Sequence, residues 1–234
     1  MSLGFRVITD IARPPAEAVD ELIKCRSCDI SDVMNRSGTM VGIHAVYEAV
    51  TSVAGPAVTV SIPAGGINMV KMGIQQARAG DVVVVSARGA TATAMVGGNI
   101  CLGMQARGIR AFVIDGAVRD VSEIRELQFP TFARGIAATA ADLGGPIGEV
   151  NVPIACGGVV VNPGDIIVAD QDGIVIVPPS AVAEVVAAVK ELNAKHEKAR
   201  ETLRRGEVTA IDRITEEFVS QGLTIGPDDG KVGV

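Results

Sequence analysis

Aromatic residues are scarce in this 234-residue chain, which has no tryptophan, one tyrosine and five phenylalanines. The hydrophobic residues, 48% of the total, are instead mostly alanine, valine and isoleucine, and 27 glycines accompany them. Small and β-branched side chains favour strands and closely packed helices. The length allows one large domain or two small ones, and no stretch in the middle has the composition of a linker. We therefore predict a single domain.

Basic residues and long apolar runs are also few. The net charge of −6 leaves no basic surface for phosphates, so we expect no nucleic-acid partner. The most apolar segment, "SAVAEVVAAV", is interrupted by Glu184 and is too short to span a membrane. The start, "MSLGFRVITD", has neither a basic region nor a long apolar run, so the sequence predicts no secretory signal and a cytoplasmic location.

Only four cysteines are present, and two of them, Cys25 and Cys28, form a "CRSC" pair. A structural zinc site needs two further ligands, whereas Cys101 and Cys156 are isolated in the sequence. A thioredoxin-like pair would follow a strand at the start of a helix, but this pair follows a helical pattern. We interpret the four cysteines as reduced thiols, with metal or redox function as the alternative.

Helical and strand patterns alternate in the first part of the chain. Helices are predicted over "PPAEAVDELIK" and "DISDVMNR", the second with Asp29 or Ser31 as its N-cap. A β-branched strand at 57–62, an amphipathic helix "INMVKMGIQQAR" and a buried strand in "AGDVVVV" follow. This succession of strand, helix and strand indicates a parallel crossover.

The same succession repeats from residue 97 and then gives way to another pattern. A helix "NICLGMQAR", a strand at 110–114, a loop "DGAVRD" and a helix "VSEIREL" are predicted in turn. After Pro130, short strands between glycine turns indicate an antiparallel meander. A long helix with Ser180 as N-cap follows, apolar in its first half and polar in its second, and then an amphipathic helix "AIDRITEEFV" and a loosely held tail.

Two dipeptides in this second repeat are candidates for a binding site. Gly97-Gly98 begins a helix whose free amides attract an anion, although a double glycine there is also a common turn. Arg119-Asp120 follows a strand, at the edge where ligands gather in α/β sheets. Arginine binds oxygen atoms, and aspartate is a hard ligand for Mg²⁺ or Mn²⁺. An α-keto acid would complete the metal shell, and the alternative is a solvated loop pair.

Five segments carry a resemblance to a known family: "VAGPAVTV", "GIN", "AGDVVVV", "ARGIRAFVIDGAVRD" and "PGDIIVADQDGIVIVP". In these segments the chain is similar to the RraA-like family, and the similarity covers about residues 25 to 207. The family includes 4-hydroxy-4-methyl-2-oxoglutarate/4-carboxy-4-hydroxy-2-oxoadipate aldolases and the regulator of ribonuclease activity A. The resemblance implies an α/β protein with a β/β/α swivelling-domain fold, assembled as a trimer or hexamer. It also implies a core at about 25–179, a helical extension at 180–220 and a tail at 221–234.

The resemblance further implies a role for each residue of the site. Asp120 would bind the divalent metal, Mg²⁺ or Mn²⁺, partly through water, and Arg119 would hold the keto oxygen of an oxo-acid substrate. The backbone amides around Gly98, Asn99 and Ile100 would bind the substrate carboxylate. Glu197, in "KHEKAR", would reach the metal-bound water of a neighbouring subunit, and the alternative for Glu197 is a solvated helix charge.

One position departs from the pattern of the aldolases. They carry an aspartate followed by twenty residues and then Arg-Asp, and counting back from Arg119 places Gly98 there. The leading hypothesis is a metal-dependent lyase that forms pyruvate and also decarboxylates oxaloacetate, and Asp120 favours it. A non-catalytic regulator that binds a protein partner is the alternative, and Gly98 favours it. A methyltransferase ranks last, because no glycine-rich cofactor loop follows the first strand.

Overall fold

The computed structural model describes residues 3–141, 147–207 and 210–226, without the side chains of 210–212. The helices are α1 (Ala16–Leu22), α2 (Ser27–Val33), α3 (Ile67–Gln76), α4 (Gly98–Ala106), α5 (Val121–Leu127), α6 (Val182–Arg204) and α7 (Ala210–Ser220). The strands are β1 (Phe5–Val7), β2 (His44–Ala45), β3 (Val53–Ser61), β4 (Val82–Val96), β5 (Ala111–Val118), β6 (Thr131–Ile136), β7 (Gly148–Val150), β8 (Ile154–Cys156), β9 (Val159–Val161), β10 (Ile166–Ala169) and β11 (Ile174–Val177). The predicted α/β class is confirmed.

A twisted sheet in the order β1-β7-β3-β4-β5-β6-β2 forms the centre of the molecule. Its four middle strands, β3 to β6, are parallel neighbours. The helices α3, α4 and α5 connect them one after another, as parallel pairing requires. The parallel crossovers that the sequence indicates are therefore present, and the run Val82–Val85 is fully buried because both faces of the sheet are covered.

The hairpin β10–β11 separates two hydrophobic cores. β10 pairs in antiparallel fashion with both β11 and the first half of β3. Ile167 and Ile176 face the main core under the central sheet, whereas Val168 and Val177 face a second core beneath α1, α2 and the start of α6. Because successive residues of a strand point to opposite faces, an unbroken apolar strand serves both cores.

Several predicted boundaries are wrong. β5 continues to Val118, so Asp115 and the three residues after it lie in a strand rather than in a loop. β6 runs parallel to β5, so the predicted meander holds only for the hairpins β8–β9 and β10–β11. α2 begins at Ser27, which places Asp29 inside the helix and paired with Arg26 instead of at the N-cap. Ser180 lies within a 3-10 turn that precedes α6.

The chain divides into two compact units, residues 1–189 and 190–234, and the division falls inside α6. In the first unit the side chains of Val182, Val185, Val186 and Val189 are buried in the second core, as their helical spacing predicts. In the second unit α7 carries exposed apolar side chains such as Phe218. The predicted tail lies partly outside the described residues, since these end at 226. Among the described helices none is long and apolar enough to cross a membrane.

Candidate functional site

The two candidate dipeptides meet at one edge of the central sheet. Val96, the last residue of β4, is the register partner of Val118, the last residue of β5. Gly97-Gly98 and Arg119-Asp120 directly follow these partners, and the Arg119 amide donates a hydrogen bond of 3.0 Å to the Val96 carbonyl. The pairing of the two strand ends thus places the glycines beside the arginine and the aspartate, after three register shifts that let the 15-residue β4 and the eight-residue β5 end together.

Asp120 has an unusual backbone and an unusual side-chain direction. It lies in the left-handed region, with φ 58° and ψ 40°, at the N-cap position of α5. An aspartate there normally accepts from its own helix, yet no side-chain capping bond forms. Its Oδ2 instead accepts a hydrogen bond of 3.1 Å from the Gly98 amide at the start of α4. The carboxylate is therefore turned away from its own helix and towards the glycines.

The glycine at 97 is required by the closeness of this carboxylate. A Cβ atom added to Gly97 would overlap Asp120 Oδ2 and would lie 3.0 Å from Cγ of Arg119. The backbone at Gly97 is extended, with φ −142°, so the requirement is for space and not for a special conformation. The missing side chain at Gly97 thus lets the backbone pass close to the carboxylate of Asp120.

Arg119 and Asp120 line a small cavity and are only loosely paired. Nε of Arg119 lies 3.5 Å from Oδ2 of Asp120, and their side chains are 44% and 36% exposed. The cavity is about 80 Å³ and is lined by Ile67, Ala94, Met95, Val96, Gly97, Asn99, Ile100, Arg119, Asp120 and Ala140. Pockets for drug-sized ligands measure roughly 300–1,000 Å³, so this cavity suits a ligand of few atoms. Both charged groups keep unfilled hydrogen-bonding capacity towards it.

The three backbone amides of the predicted carboxylate site differ in what they bond. The Gly98 amide is occupied by Asp120, and the Ile100 amide donates to the Gly97 carbonyl at 3.1 Å. The Asn99 amide has no hydrogen-bond partner within the described part of the chain. It lies in the first turn of the nine-residue α4, where the helix dipole favours an anion. Asn99 is therefore the amide open to a ligand.

The oxygen atoms at this edge of the sheet can bind a divalent cation only if the substrate supplies part of the coordination shell. Across the described residues no group of three or more His, Cys, Asp or Glu side chains could enclose a metal. Asp120 offers one carboxylate, whose Oδ1 has no partner among the described residues. Mg²⁺ is commonly held by one or two carboxylates, with water and substrate oxygens as the other ligands. The site matches that type rather than a closed protein cage.

Comparison with known proteins identifies the family. The sequence model of the RraA-like family, described as Aldolase/RraA, matches residues 27–176. The chain belongs to the RraA-like family. A Halalkalibacterium halodurans protein provisionally named a 4-hydroxy-4-methyl-2-oxoglutarate aldolase is 40% identical over 168 residues, 71% of this chain and 79% of that protein. The 4-hydroxy-4-methyl-2-oxoglutarate aldolase of Thermus thermophilus is 30% identical over 162 residues, 68% of this chain and 98% of that protein.

A solved structure shows the same fold in a protein with another title. The crystal structure of Streptomyces coelicolor RraAS2, titled an unusual member of the RNase ES inhibitor RraA protein family, superposes with a TM-score of 0.74 at 29% identity. The superposition covers 82% of this chain and 99% of RraAS2. The RraA-like fold predicted from the resemblance is thereby confirmed. The named relatives support a lyase at the level of the family.

Glu197 of this RraA-like protein lies in the second compact unit, on α6. Its carboxylate accepts hydrogen bonds from Arg204 at 3.1 Å and from Arg200 at 3.4 Å. The bond from Arg204, followed by that from Arg200, lowers the pKa of Glu197 below its ordinary value. Glu197 is therefore an exposed carboxylate held in its charged form by its own helix.

Two features of the site were missed by reading the sequence. Glu123, in the first turn of α5, places its carboxylate against Gly98. Its spacing of three residues from Asp120 was the available signal, because that spacing is typical of a capping box. Cys101 is buried in α4, and burial, with a smaller effect of the Asp120 charge, raises its pKa to about 12. This thiol therefore stays protonated and takes no nucleophilic part.

Proposed function

We propose that this RraA-like protein is a divalent-metal-dependent lyase that cleaves a 4-hydroxy-2-oxo acid to pyruvate and decarboxylates oxaloacetate at the same site. The observation that carries the proposal is the convergence of Arg119 and Asp120 on one small cavity beside the open amide of Asn99. Arg119 supplies a positive charge, Asp120 a negative charge and the Asn99 amide a neutral hydrogen-bond donor, all close enough to contact one small oxo acid. The names of the aldolase relatives support the reaction class.

Substrate binding follows from the charges around the cavity. The carboxylate of the oxo acid is placed at the first turn of α4, where the Asn99 amide donates to it and the neighbouring backbone of Gly98 and Ile100 surrounds it. The Arg119 guanidinium donates to the keto oxygen, because its planar array of donors is free of other hydrogen bonds in the described residues. These two contacts fix the position of the reacting carbon atoms.

Asp120 holds the cation in this proposal. Oδ1 is its open ligand atom, since Oδ2 is bonded to the Gly98 amide. When bound, Mg²⁺ or Mn²⁺ supplies Lewis-acid polarisation of the substrate oxygens. The bond from Gly98 keeps the carboxylate pointing into the cavity, so the orientation of the ligand atom is set before the substrate arrives.

Both reactions develop negative charge on the same atom. When the bond between C3 and C4 breaks, its electrons move towards C2 and the keto oxygen gains charge. Arg119 binds that oxygen more strongly as the charge grows, which lowers the barrier instead of merely tightening substrate binding. Loss of carbon dioxide from oxaloacetate develops the same charge. One arrangement of Arg119 and Asp120 therefore serves both substrates.

Glu197 acts from a neighbouring subunit in the same proposal, within a trimer or hexamer of this chain. Its exposure and its lowered pKa support a carboxylate that is charged and accessible to a second copy. In that role Glu197 orients water at the edge of the cavity of its neighbour. The competing interpretation is a solvated charge that only pairs with Arg200 and Arg204.

The test is to measure pyruvate formed from oxaloacetate and from 4-hydroxy-4-methyl-2-oxoglutarate, using a lactate dehydrogenase coupled assay. We expect turnover of both with Mg²⁺ or Mn²⁺, loss of turnover on adding EDTA, and recovery with excess metal. Metal without protein is the essential control, because divalent ions decarboxylate oxaloacetate in solution. Rates equal to that control with both substrates would refute the lyase.

A non-catalytic regulator is the second candidate, and three observations favour it. RraAS2, a structural neighbour, belongs by its title to a family of ribonuclease inhibitors. Gly98 lacks the carboxylate that the aldolases carry at that place. The net charge of −6 suits a partner with a basic surface. The same pyruvate assay separates the two candidates, since a regulator needs no metal-stimulated turnover.

A further inference from the structure

A second carboxylate fills the space above Gly98. A Cβ atom added to Gly98 would overlap Oε2 of Glu123 and would lie 2.9 Å from its Cβ and 3.0 Å from its Cδ. The contact involves the whole Glu123 side chain, including the atom fixed to α5, and not only its flexible end. Glycine at 98 is therefore explained by Glu123, because any larger residue would displace that side chain.

The Glu123 carboxylate forms no hydrogen bond with its own helix in the described residues. Asp120 and Glu123 have the spacing of a capping box, in which the two side chains bond the first amides of the helix. No side-chain capping bond forms at α5. Asp120 bonds Gly98 instead, and Glu123 has no hydrogen bond or ion pair in the described portion of the chain. The carboxylates of Asp120 and Glu123 thus both lie close to Gly98.

The position of Glu123 joins it to the site already described. A shallow crevice of about 280 Å³ is lined by Gly98, Asn99, Leu102, Glu123, Glu126 and Leu127. Asn99 lines both this crevice and the cavity that contains Arg119 and Asp120. The residue whose open amide receives the substrate carboxylate in the proposed function therefore borders both the cavity of Asp120 and the crevice of Glu123.

We propose that Glu123 is the proton-transferring residue of the aldol cleavage, an inference that rests on the proposed function. Its carboxylate takes the proton from the C4 hydroxyl of the substrate. The electrons of that O–H bond form the new C4 carbonyl, the bond between C3 and C4 breaks, and its electrons form the enolate of pyruvate. The protonated Glu123 then returns the proton to C3, and pyruvate is complete. Every atom and electron is accounted for without a further reactant.

Oxaloacetate provides an internal comparison for this role. Loss of carbon dioxide breaks the bond between C3 and the departing carboxylate without removing a hydroxyl proton, so no base is needed for that step. Glu123 is left only with protonation of C3, which water can also perform. Removing the carboxylate therefore affects the two reactions unequally, whereas damage to the fold or to metal binding affects them together.

The kinetic experiment compares Glu123→Gln with the wild type on both substrates under saturating Mn²⁺. We expect kcat for aldol cleavage to fall by about 100-fold or more, and kcat for decarboxylation by less than about tenfold. Glu17→Gln is the matched control, because Glu17 is likewise an exposed glutamate in the first turn of a seven-residue helix. Parallel losses on both substrates, or no loss, would overturn the role of Glu123.

A thermal experiment tests the contact without using activity. In the wild-type background Gly98→Ala should lower Tm by roughly 2–4 °C, since the added methyl strikes Glu123. In a Glu123→Ala background the same change should leave Tm unchanged or raise it, because alanine is favoured over glycine in a helix. Equal shifts in the two backgrounds would show that Glu123 does not lie on Gly98 and would overturn the inference.

The outcomes separate this inference from the function on which it rests. A wild-type protein without metal-stimulated turnover refutes the lyase and the role of Glu123 together. If the wild type turns over and Glu123→Gln lowers kcat equally for both substrates, or for neither, only the role of Glu123 is refuted. Selective loss of aldol cleavage, combined with different thermal shifts in the two backgrounds, supports both.

Discussion

Two arginine–aspartate pairs lie at opposite ends of the parallel strands, and they differ in how fully their atoms are bonded. Asp81 directly precedes β4 and is only 2% exposed. It accepts three hydrogen bonds from Arg13, at 3.0, 3.3 and 2.7 Å, and a fourth from the Arg78 amide at 2.8 Å. Asp120 follows β5, lies 3.5 Å from its arginine and is 36% exposed.

The difference teaches that residue type does not separate a structural pair from a functional one. In the buried pair, the hydrogen bond that Arg13 donates to Asp81 is the main cause that raises the pKa of Arg13, and both oxygens of Asp81 accept hydrogen bonds. A saturated carboxylate has nothing left to offer a ligand. Arg119 and Asp120 are neighbours in sequence, yet their side chains are only loosely bonded to each other. Their remaining hydrogen-bond donors and acceptors are therefore available to a ligand in the cavity that they line. Unfilled hydrogen-bonding capacity distinguishes the candidate site from the structural pair.

The largest expected effect is on activity at the open pair. Asp120→Asn keeps an acceptor for the Gly98 amide but removes the charge that would hold the cation in the proposed function. We expect kcat/KM to fall by about 1,000-fold or more, which corresponds to about 4 kcal/mol of transition-state stabilisation. The Tm should change by less than about 2 °C, because the side chain is exposed. Pyruvate formation and a thermal melt measure the two, and a large drop in Tm would mean that this pair is structural after all.

At the buried pair of Arg13 and Asp81 we expect the opposite result, a loss of stability without a loss of activity. Asp81→Asn leaves Arg13 charged without its partner, and we expect a loss of about 2 kcal/mol in the free energy of unfolding. That loss lowers Tm by roughly 4–8 °C for a chain of this size. Activity per folded molecule should stay at the wild-type value. If Asp81→Asn instead abolishes turnover while preserving Tm, the contrast between the two ends of the sheet fails.

The smallest effects are expected from exchanging arginine for lysine. Lysine cannot present two aligned donors, so Arg13→Lys should lower Tm by about 2–4 °C, the equivalent of about 1 kcal/mol. Arg119→Lys should lower kcat/KM by about tenfold through its weaker contact with the keto oxygen. Arg125→Lys, an exposed position on α5, is the control for both measurements. If Arg119→Lys lowered only Tm and Arg13→Lys lowered only kcat/KM, the roles given to the two pairs would be wrong.

Much of the frame of the site could be predicted from the sequence. The buried run Val82–Val85 and the repeated succession of strand and helix predict parallel strands, whose carboxyl ends share one edge of the sheet. That Gly97 meets Arg119 at this edge depends on three register shifts between β4 and β5, which the sequence does not reveal. The roles assigned to Asp120, Arg119 and Glu197 came from the resemblance to the family and stay predictions. The interpretation of Gly98 as a departure from the pattern of the aldolases also stays a prediction.

What escaped prediction depends on contacts between distant segments. Asp115 and Gly116 are poor strand residues, so the sequence placed them in a loop. In the structure, Asp115 is bonded by Arg134 and the Gly157 amide, and a Cβ at Gly116 would lie 2.9 Å from that of Ala87 on the adjacent strand. Glu123 escaped for a similar reason. Its local spacing predicts a helix cap, and only the approach of α4 shows that the side chain has another neighbour.

The hairpin β10–β11 also affects how the chain folds during synthesis. Both hydrophobic cores take alternate side chains from these two strands, and β10 pairs with β3, which precedes it by most of the domain. During translation the early strands must wait, with apolar surface uncovered, until residue 177 has left the ribosome. Long-range pairing of this kind slows folding and prolongs the interval in which a nascent chain is open to aggregation and to chaperones.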